Sequence, residues 1–398
     1  MFIEASNYIT EHAEDLLYYF PTKNKDWKWF GIPFHLNQDG NVKHYTARMI
    51  NHYMEEGLLR EGSIIVCSTS GNTGFAFVKN CIKNKMVPIA IVDDHAPSAK
   101  LNKMRAYGGL VIAYNDNYQN LYKQLLEYIK RVEILLQKQN IFPKSAINNL
   151  IKEMKNPLNN GVFSDLKTSE HLVHVRREIT EKLVAKFKNF GFSAMVLEQY
   201  DDVENTKSFI DYGYKIAKKL GSPIDVFVSS RGTGSSSSGI FLGLKKYHEE
   251  QKIASPKFAG IEIENDSIIS GPGYPKSEKQ PLNRKVKIDI KVEISDKEFV
   301  NLRMMMQARC EPFGDSTDLA RASLPAVEDE MKNLKKPQKI GLIPISDLVD
   351  DYGDTSASID FLKKHDLFID ETLIKKYHEF FNGSAKIFSL YTEILHIS

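Results

Sequence analysis

Hydrophobic and polar residues follow one another in two rhythms between about residues 44 and 115. Apolar positions three and four apart predict amphipathic helices in TARMINHYMEEGLL, NTGFAFVKNCIKNK and SAKLNKMRAYG. Short, nearly continuous apolar runs predict buried strands in SIIVCS, VPIAIVDD and LVIAYN. Because strands that alternate with helices pair in parallel through right-handed crossovers, this region predicts a parallel sheet covered by helices.

The same alternation resumes near residue 193 and continues towards the end of the chain. Strands are predicted in SAMVLEQY, IDVFVSS, KFAGIEIEN and IGLIPIS, and helices in KSFIDYGYKIAKKLG, GSSSSGIFLGLKKYHEE and ETLIKKYHEFF. With 398 residues, the chain is long enough for two domains of this kind. The pattern therefore predicts an α/β protein with two open twisted sheets.

Residues 117–170 interrupt the alternation. They contain a charged periodic stretch, LYKQLLEYIKRVEILLQKQ, and a polar loop, NPLNNGVFSD, before a further predicted helix near HLVHVRREITEKLVAKFKNFG. We interpret this stretch as a helical insertion that serves packing or assembly and carries no chemistry.

The charge balance gives no electrostatic reason for a nucleic acid or an anionic membrane as partner, since 53 Lys and Arg stand against 51 Asp and Glu. No segment approaches the roughly 20 apolar residues of a membrane helix, and the amino terminus lacks the pattern of a secretory signal. Three cysteines without a CxxC pair, and histidines without an HExxH pattern, predict a reducing compartment and no metal site. We therefore expect a soluble cytoplasmic protein that acts on a small molecule.

The first candidate for chemistry is a polar turn between a predicted strand and a predicted helix. It contains Thr69, Ser70, Gly71, Asn72 and Thr73. The unpaired backbone N–H groups at the start of a helix, together with its dipole, favour a carboxylate or a phosphate at such a junction. A turn rich in small residues is as often only a tight connection, so the residues alone leave both interpretations open.

A second turn repeats this arrangement with more glycines and hydroxyls. Gly232, Thr233, Gly234, Ser235 and Ser236 follow an apolar strand and open an apolar helix. Glycines let the backbone wrap an anion while the hydroxyls donate to it, so phosphate binding is favoured over a flexible serine linker. Neither the GK[ST] of a nucleotide-binding P-loop nor the GxGxxG spacing of a dinucleotide site is present, which favours a phosphorylated cofactor over a nucleotide.

Four ordered blocks, spread over roughly residues 30–355, resemble the fold-type II pyridoxal phosphate enzymes, the group of cysteine synthase and cystathionine β-synthase. The TSGNTG block is intact, HLNQDGNVKHYTA resembles the family's NPxGSxKDR, and the serine-rich turn resembles GTGGTxTG. The sequence GDST near residue 315 resembles the family's SSG or GST turn. LEQYDD and IPISDLVDDYGD are similar to the family's xQFxN and LPDxGxRY segments.

The resemblance implies a cofactor-holding set and a substrate-holding set. Lys43 would carry pyridoxal 5'-phosphate as a Schiff base, and the full cofactor set is Lys43, Asn72, Gly232, Thr233, Gly234, Ser235, Ser236 and Ser316. The amino-acid substrate would bind Thr69, Ser70, Gly71, Asn72, Thr73 and Gln199, with its carboxylate at the TSGNTG turn. Lys43 would also be the catalytic base, because an amine freed from the cofactor can remove the Cα proton.

The residue that faces the ring nitrogen of the cofactor influences which reaction is favoured. Ser316 at that position favours elimination to an aminoacrylate and β-replacement over transamination. The adjacent Asp315 would reverse this argument if the match were shifted by one residue. The resemblance thus implies β-replacement on an O-activated serine, giving cysteine or another β-substituted alanine.

Two alternatives stay open. A serine or threonine deaminase would end the same elimination without an added nucleophile. A non-catalytic regulatory or binding protein would explain why His44 and Tyr45 follow the lysine where the family has aspartate and arginine, and why SEKQPLNRKVKIDI replaces the family's glycine-rich GIG segment.

The resemblance also implies the domain organisation. We expect the tryptophan synthase β-like fold, with a smaller domain at 44–190 that contains the insertion, and a larger domain made of 1–43 and 191–355. A helical tail at 356–398 and a homodimer complete the prediction.

Overall fold

The computed structural model describes the following residues: 16–69, 71–93, 96–114, 172–189, 191–199, 202, 204–264, 267, 269, 282–311, 313–352, 356–367 and 369–389. The predicted insertion at 117–170 lies outside the described residues. The chain divides into two compact units, unit 1 (Met1–Tyr45 with Tyr200–Ser398) and unit 2 (Thr46–Gln199). Within the described ranges, no helix has both the length and the apolar character needed to span a membrane.

The strands, in chain order, are β1 (Leu16–Phe20), β2 (Trp27–Pro33), β3 (Ile64–Ser68), β4 (Val87–Asp93), β5 (Leu110–Tyr114), β6 (Ala194–Val196), β7 (Val226–Ser230), β8 (Lys257–Ile263), β9 (Ile290–Ile294), β10 (Lys339–Ile345) and β11 (Lys386–Ser389). The α-helices are α1 (His44–Ala47), α2 (Met49–Glu55), α3 (Asn72–Lys83), α4 (Ser98–Ala106), α5 (Leu172–Asn189), α6 (Glu204–Leu220), α7 (Ser235–Glu250), α8 (Asp296–Ala308), α9 (Asp315–Glu330), α10 (Ile359–Lys364) and α11 (Glu371–Phe380).

Unit 1 is built on a seven-stranded sheet of order β11-β1-β2-β10-β7-β8-β9. Five neighbouring strands of this sheet are parallel, in the order β2, β10, β7, β8 and β9. β1 pairs antiparallel with both β2 and β11. Both faces are covered, as parallel sheets require. Helices α6 and α7 bury an aromatic core with Phe209, Tyr212 and Phe227 on one face, and α8 and α9 bury Phe299 and Leu319 on the other.

Unit 2 has a smaller, fully parallel sheet of order β5-β4-β3-β6. Every residue of β3 is buried, which explains why its sequence is a continuous apolar run rather than an alternating one. Its core includes Ile65, Phe77 and Met104, contributed by β3, α3 and α4.

Three expectations need correction. The single helix predicted at 46–59 is two short helices, α1 and α2, followed by Gly57 in a left-handed conformation (φ 74°). The predicted larger domain took in 191–199, yet β6 pairs with β3 and belongs to unit 2. The carboxyl-terminal tail is not wholly helical, because β11 follows α11 and pairs with β1 at the edge of the larger sheet.

Candidate active site

The candidate site of unit 1 lies at the carboxyl ends of three neighbouring parallel strands. β2 ends at Pro33, β10 at Ile345 and β7 at Ser230. The chain continues from these ends into the segment with Lys43, into Ser346, and into the glycine-rich and serine-rich loop. This edge of an open α/β sheet is where ligands usually bind, because the strand ends and helix starts meet there.

A web of hydrogen bonds fixes the loop that carries Lys43. The amide nitrogen Nδ2 of Asn37 donates to the carbonyl oxygen of Asn41 (2.8 Å), and the side-chain amide of Asn41 donates to the carbonyl of Asp39 (2.8 Å). The backbone N–H of Lys43 donates to Oδ1 of Asn41 (2.9 Å). The imidazole Nδ1 of the next residue, His44, lies 2.7 Å from the buried carboxylate of Asp39. The backbone at Lys43 is thus held from both sides.

The amine of Lys43 lies on the glycine-rich and serine-rich loop of residues 232–238, which we call the anion loop. Its Nζ donates to the hydroxyl oxygen of Thr233 (3.3 Å), and that hydroxyl also lies 3.0 Å from Oγ of Ser235. Gly234 adopts a left-handed conformation (φ 88°) and caps α7. The backbone N–H groups of residues 233–237 donate to no acceptor among the described residues. The loop therefore presents five donors of the kind that bind an anion.

Three residues of this loop environment were not predicted. Ser238 is fully buried, and its Oγ has no hydrogen-bond partner within the described part of the chain. Asn283 and Arg231, both buried, brace the loop through hydrogen bonds to its backbone and to each other. Ser238 lies within the stretch 232–239 that matches the family's phosphate loop and could have been included, whereas Asn283 lies in a segment without any motif.

Asp315 and Ser316, in the turn of residues 314–317, differ in their contacts with the protein interior. The carboxylate of Asp315 is fully buried and lies 2.5 Å from a guanidinium nitrogen of Arg303, and it also accepts from Oγ of Ser356 (2.8 Å). Ser316 is half-buried, and its hydroxyl makes no hydrogen bond among the described residues. Asp315 is therefore a buried ion-pair residue, and the role expected of Ser316 stays a prediction.

Backbone contacts tie this turn to the segment before Lys43. The N–H of Ser346 donates to the hydroxyl of Thr317 (3.1 Å), and the carbonyl of Ser346 accepts from the N–H of Val42 (2.8 Å). Gly314 is needed because a Cβ there would lie 1.9 Å from the carboxylate of Asp347. Ser346, the residue after β10, thus contacts Val42 next to Lys43 and Thr317 next to Ser316.

A buried ionic network lies next to the turn. Arg303 contacts Asp315 and also Asp318, whose carboxylate oxygen lies 3.1 Å from Nε. Burial raises the pKa of Asp318 to about 6, because desolvation outweighs the lowering effect of Arg303 and Arg321. This network keeps the start of α9 fixed, but it exposes no group for chemistry.

In unit 2, the TSGNTG turn is held by the side chains that were predicted to bind substrate. The hydroxyl oxygen of Thr69 accepts from the N–H groups of Gly71 (3.3 Å) and Gly74 (2.9 Å). Thr73 donates to Oε1 of Gln199 (2.7 Å), whose amide nitrogen donates to the carbonyl of Ser68 (2.6 Å).

The remaining predicted residues of this turn are Asn72, which is half-buried and begins α3, and Ser70, which lies outside the described residues. Two buried cations lie beside the turn as well. Arg176 donates to the carbonyl of Thr69 (3.2 Å), and Lys100 packs on Gly71. Their positive charge favours an anion at the start of α3.

The residues of unit 1 fit pyridoxal phosphate. The donors of the anion loop, with the buried Oγ of Ser238, suit a phosphate dianion. Lys43 supplies an amine beside the hydroxyl of Thr233, which belongs to the same loop. Gly234 is required in this loop, because a Cβ there would lie 2.4 Å from Oδ1 of Asn283. Among the described residues, no cluster of His, Cys, Asp and Glu could hold a metal ion.

Known proteins resemble this chain in sequence and in fold. It is 26% identical to a putative cysteine synthase of Sinorhizobium fredii over 241 residues, which are 60% of this chain and 54% of that protein. The chain thus spans about half the length of this curated relative. No model of a known protein family matches the chain.

Among solved structures, a hydrogen sulfide-producing enzyme from Fusobacterium nucleatum has a TM-score of 0.65 at 16% identity, covering 97% of this chain and 99% of its own. An O-acetylserine-dependent cystathionine β-synthase from Helicobacter pylori has a TM-score of 0.56 at 21% identity, covering 84% of this chain and 90% of its own. These likenesses confirm the fold class expected from the sequence.

Proposed function

We propose that the chain is a divergent member of the cysteine synthase and cystathionine β-synthase family and a pyridoxal phosphate enzyme of β-replacement. Its substrate would be an O-activated serine, and its product cysteine or another β-substituted alanine. The proposal extends to this chain the reactions stated in the names of its relatives.

One observation carries the proposal: the amine of Lys43 lies 3.3 Å from the hydroxyl of Thr233 on the anion loop. The two residues are 190 positions apart in the chain. An amine for a carbonyl and a cradle for a phosphate are the two attachments that pyridoxal phosphate requires. A lysine with a purely structural role would not require a neighbouring loop whose backbone N–H groups have no acceptor among the described residues.

The residues of unit 1 would divide the work of holding the cofactor. Backbone N–H groups of 233–237, with the hydroxyls of Thr233, Ser235 and Ser236, would bind the phosphate. Ser316 would face the ring nitrogen, and its neutral hydroxyl would not hold a proton there as a carboxylic acid would. When bound, pyridoxal phosphate supplies an electron sink for the electron pair left when the Cα proton departs.

Lys43 would act twice, first as the attachment point and then as the base. With the cofactor and a substrate bound, the neutral amine of Lys43 would accept the Cα proton at Nζ. The hydrogen bonds of Asn41 keep the backbone of Lys43 fixed, so that only its side chain would have to move between the two roles.

The substrate carboxylate would bind the TSGNTG turn of unit 2. Thr69, Thr73 and Gln199 bond to the turn itself, so we propose that they shape it while the backbone N–H groups at the start of α3 and Asn72 meet the ligand. A homodimer in the cytoplasm completes the proposal.

The test is a reaction of the purified protein, loaded with pyridoxal phosphate, with O-acetylserine, O-phosphoserine and serine in turn, each with and without sulfide. Cofactor-dependent formation of cysteine from one activated serine is the expected result. Release of pyruvate and ammonia from serine or threonine, unaffected by sulfide, would indicate a deaminase. Failure to bind the cofactor would indicate a non-catalytic protein.

A further inference from the structure

The anion loop is attached to a segment that departs from the family pattern. Asn283 lies in SEKQPLNRKVKIDI, which stands where the family has its glycine-rich wall, and it is fully buried. Its Nδ2 donates to the carbonyl oxygen of Gly232 (3.0 Å). The divergent segment thus contacts the backbone of the loop directly.

Arg231 holds Asn283 from the other side. The guanidinium Nε donates to Oδ1 of Asn283 (3.3 Å), and a terminal guanidinium nitrogen donates to its backbone carbonyl (2.7 Å). Both residues are buried, so these hydrogen bonds form away from competing water. The side-chain amide of Asn283 therefore has one orientation, with its nitrogen towards Gly232.

This orientation determines where the next N–H of the loop points. The C=O and N–H of a trans peptide point in opposite directions. Because the carbonyl of Gly232 points at Asn283, the N–H of Thr233, in the same peptide unit, points to the other side of the loop.

Asn283 also limits which residue can occupy position 234 of the loop. A Cβ at Gly234 would lie 2.4 Å from Oδ1 of Asn283, in a residue whose φ of 88° already favours glycine. Asn283 therefore lies so close to Gly234 that no side chain fits between them.

We infer that Asn283 is a positioning residue for the anion loop and that Arg231 fixes Asn283. Asn283 acts through the carbonyl of Gly232 and turns the N–H of Thr233 towards the anion. The inference rests on the proposed function in taking the phosphate of pyridoxal phosphate as that anion. Without Asn283, the peptide would rotate freely, and binding the phosphate would require ordering it first.

The experiment compares the affinities of the apoprotein for pyridoxal phosphate and for pyridoxal, which lacks the phosphate. Asn283→Ala removes the amide, and Asn283→Asp keeps the shape but replaces the donor to Gly232 by an acceptor. Asn301→Ala is the matched control, since this buried asparagine of α8 also bonds to backbone groups, at Lys297 and Asp370. Thermal unfolding of each apoprotein reports the loss of stability alone.

We expect both Asn283 variants to bind pyridoxal phosphate at least about tenfold more weakly, the factor that one hydrogen bond to a charged group contributes. Their affinity for pyridoxal should change less than about twofold, and Asn301→Ala should keep both affinities. Equal weakening of both ligands, or unchanged affinity for pyridoxal phosphate, overturns the inference. If the wild type itself does not prefer the phosphate ester, the proposed cofactor site fails and the inference fails with it.

Discussion

The side-chain nitrogen of Lys43 lies 3.3 Å from the hydroxyl oxygen of Thr233, at the start of the anion loop. The contact places the amine beside the donors that would hold the cofactor's phosphate. Replacement of Lys43 should therefore remove covalent attachment without removing the phosphate site.

We expect Lys43→Ala to bind pyridoxal phosphate only reversibly, so that borohydride reduction leaves no cofactor on the protein. Mass spectrometry after reduction measures this, and thermal unfolding should show a fold as stable as the wild type. Lys28→Ala, at a half-buried lysine of β2, is the control and should retain the label. Stoichiometric labelling of Lys43→Ala would assign the attachment to another lysine.

The hydroxyls of Thr233 and Ser236 should contribute directly to cofactor affinity, because both side chains are half-buried on the anion loop. Hydrogen bonds to a charged group contribute about 1.5–3 kcal/mol each, so the double alanine variant should lose roughly two to four decades of affinity. Equilibrium dialysis of the apoprotein measures this loss. The double variant of Thr372 and Ser384, two exposed hydroxyls of unit 1, should bind as the wild type does.

Replacing Asp315 should change the stability of the protein, whereas replacing Ser316 should change the properties of the bound cofactor. Asp315→Asn breaks a buried ion pair with Arg303, which typically costs about 3–5 kcal/mol of unfolding free energy. Ser316→Ala should change that free energy by less than about 0.5 kcal/mol but shift the absorbance of the bound cofactor. Urea titration and absorbance spectra of both variants test this. A spectral shift in Asp315→Asn at unchanged stability, with none in Ser316→Ala, would reverse the assignment.

The sequence predicted the elements around the site better than the contacts within it. Lys43 was identified through the resemblance of its segment to a family block, and Thr233 because it lies in a glycine-rich turn between a predicted strand and a predicted helix, which periodicity predicts. Asn283 could not be identified, since its partner Gly232 lies 51 positions earlier and its own segment matches no motif. Contacts between distant segments depend on the fold, which local patterns do not specify.

The same limit explains what the sequence missed in unit 2. Thr73 and Gln199 were predicted as substrate ligands, which stays a prediction, but no local pattern indicated that they bond to each other across 126 positions or that Gln199 bonds on to Ser68. A hydroxyl or an amide has the same chemistry whether it meets a ligand or a backbone group, so only the fold distinguishes the two roles. The strand β1 and the edge strand β11 were also missed, because pairing between the two ends of the chain leaves no local signal.

Gln199 should therefore affect both the stability of the turn and the binding of amino acids. Gln199→Glu keeps the acceptor for Thr73 but loses the donor to Ser68, leaving a buried carbonyl unsatisfied at a cost of about 1–3 kcal/mol. We expect weaker binding of amino-acid substrates while the cofactor stays bound, measured by absorbance titration of the loaded protein. Gln307→Glu, at an exposed position on α8, is the control. Unchanged substrate affinity in Gln199→Glu would place the carboxylate away from this turn.

His35, which is buried between aromatic rings, should make the free energy of unfolding depend on pH. The ring centroids of Tyr18 and Phe313 lie 5.4 and 5.5 Å from that of His35. Burial lowers the pKa of His35 from 6.5 to about 4, because desolvation disfavours the charged imidazolium. Burial raises the pKa of Tyr18, so this neighbour stays neutral over the same range.

A folded-state pKa below the unfolded one means that the unfolded chain binds the proton more readily. The contribution of His35 is thus fully present above pH 6.5 and is lost as the pH falls towards 4, by about 3 kcal/mol in all. Urea titrations at pH 7.5 and 4.5 should show a smaller loss for His35→Gln than for the wild type, by about 2–3 kcal/mol. His52→Gln, at a partly exposed histidine of unit 2, should follow the wild type, and the same loss in His35→Gln would show that another group is responsible.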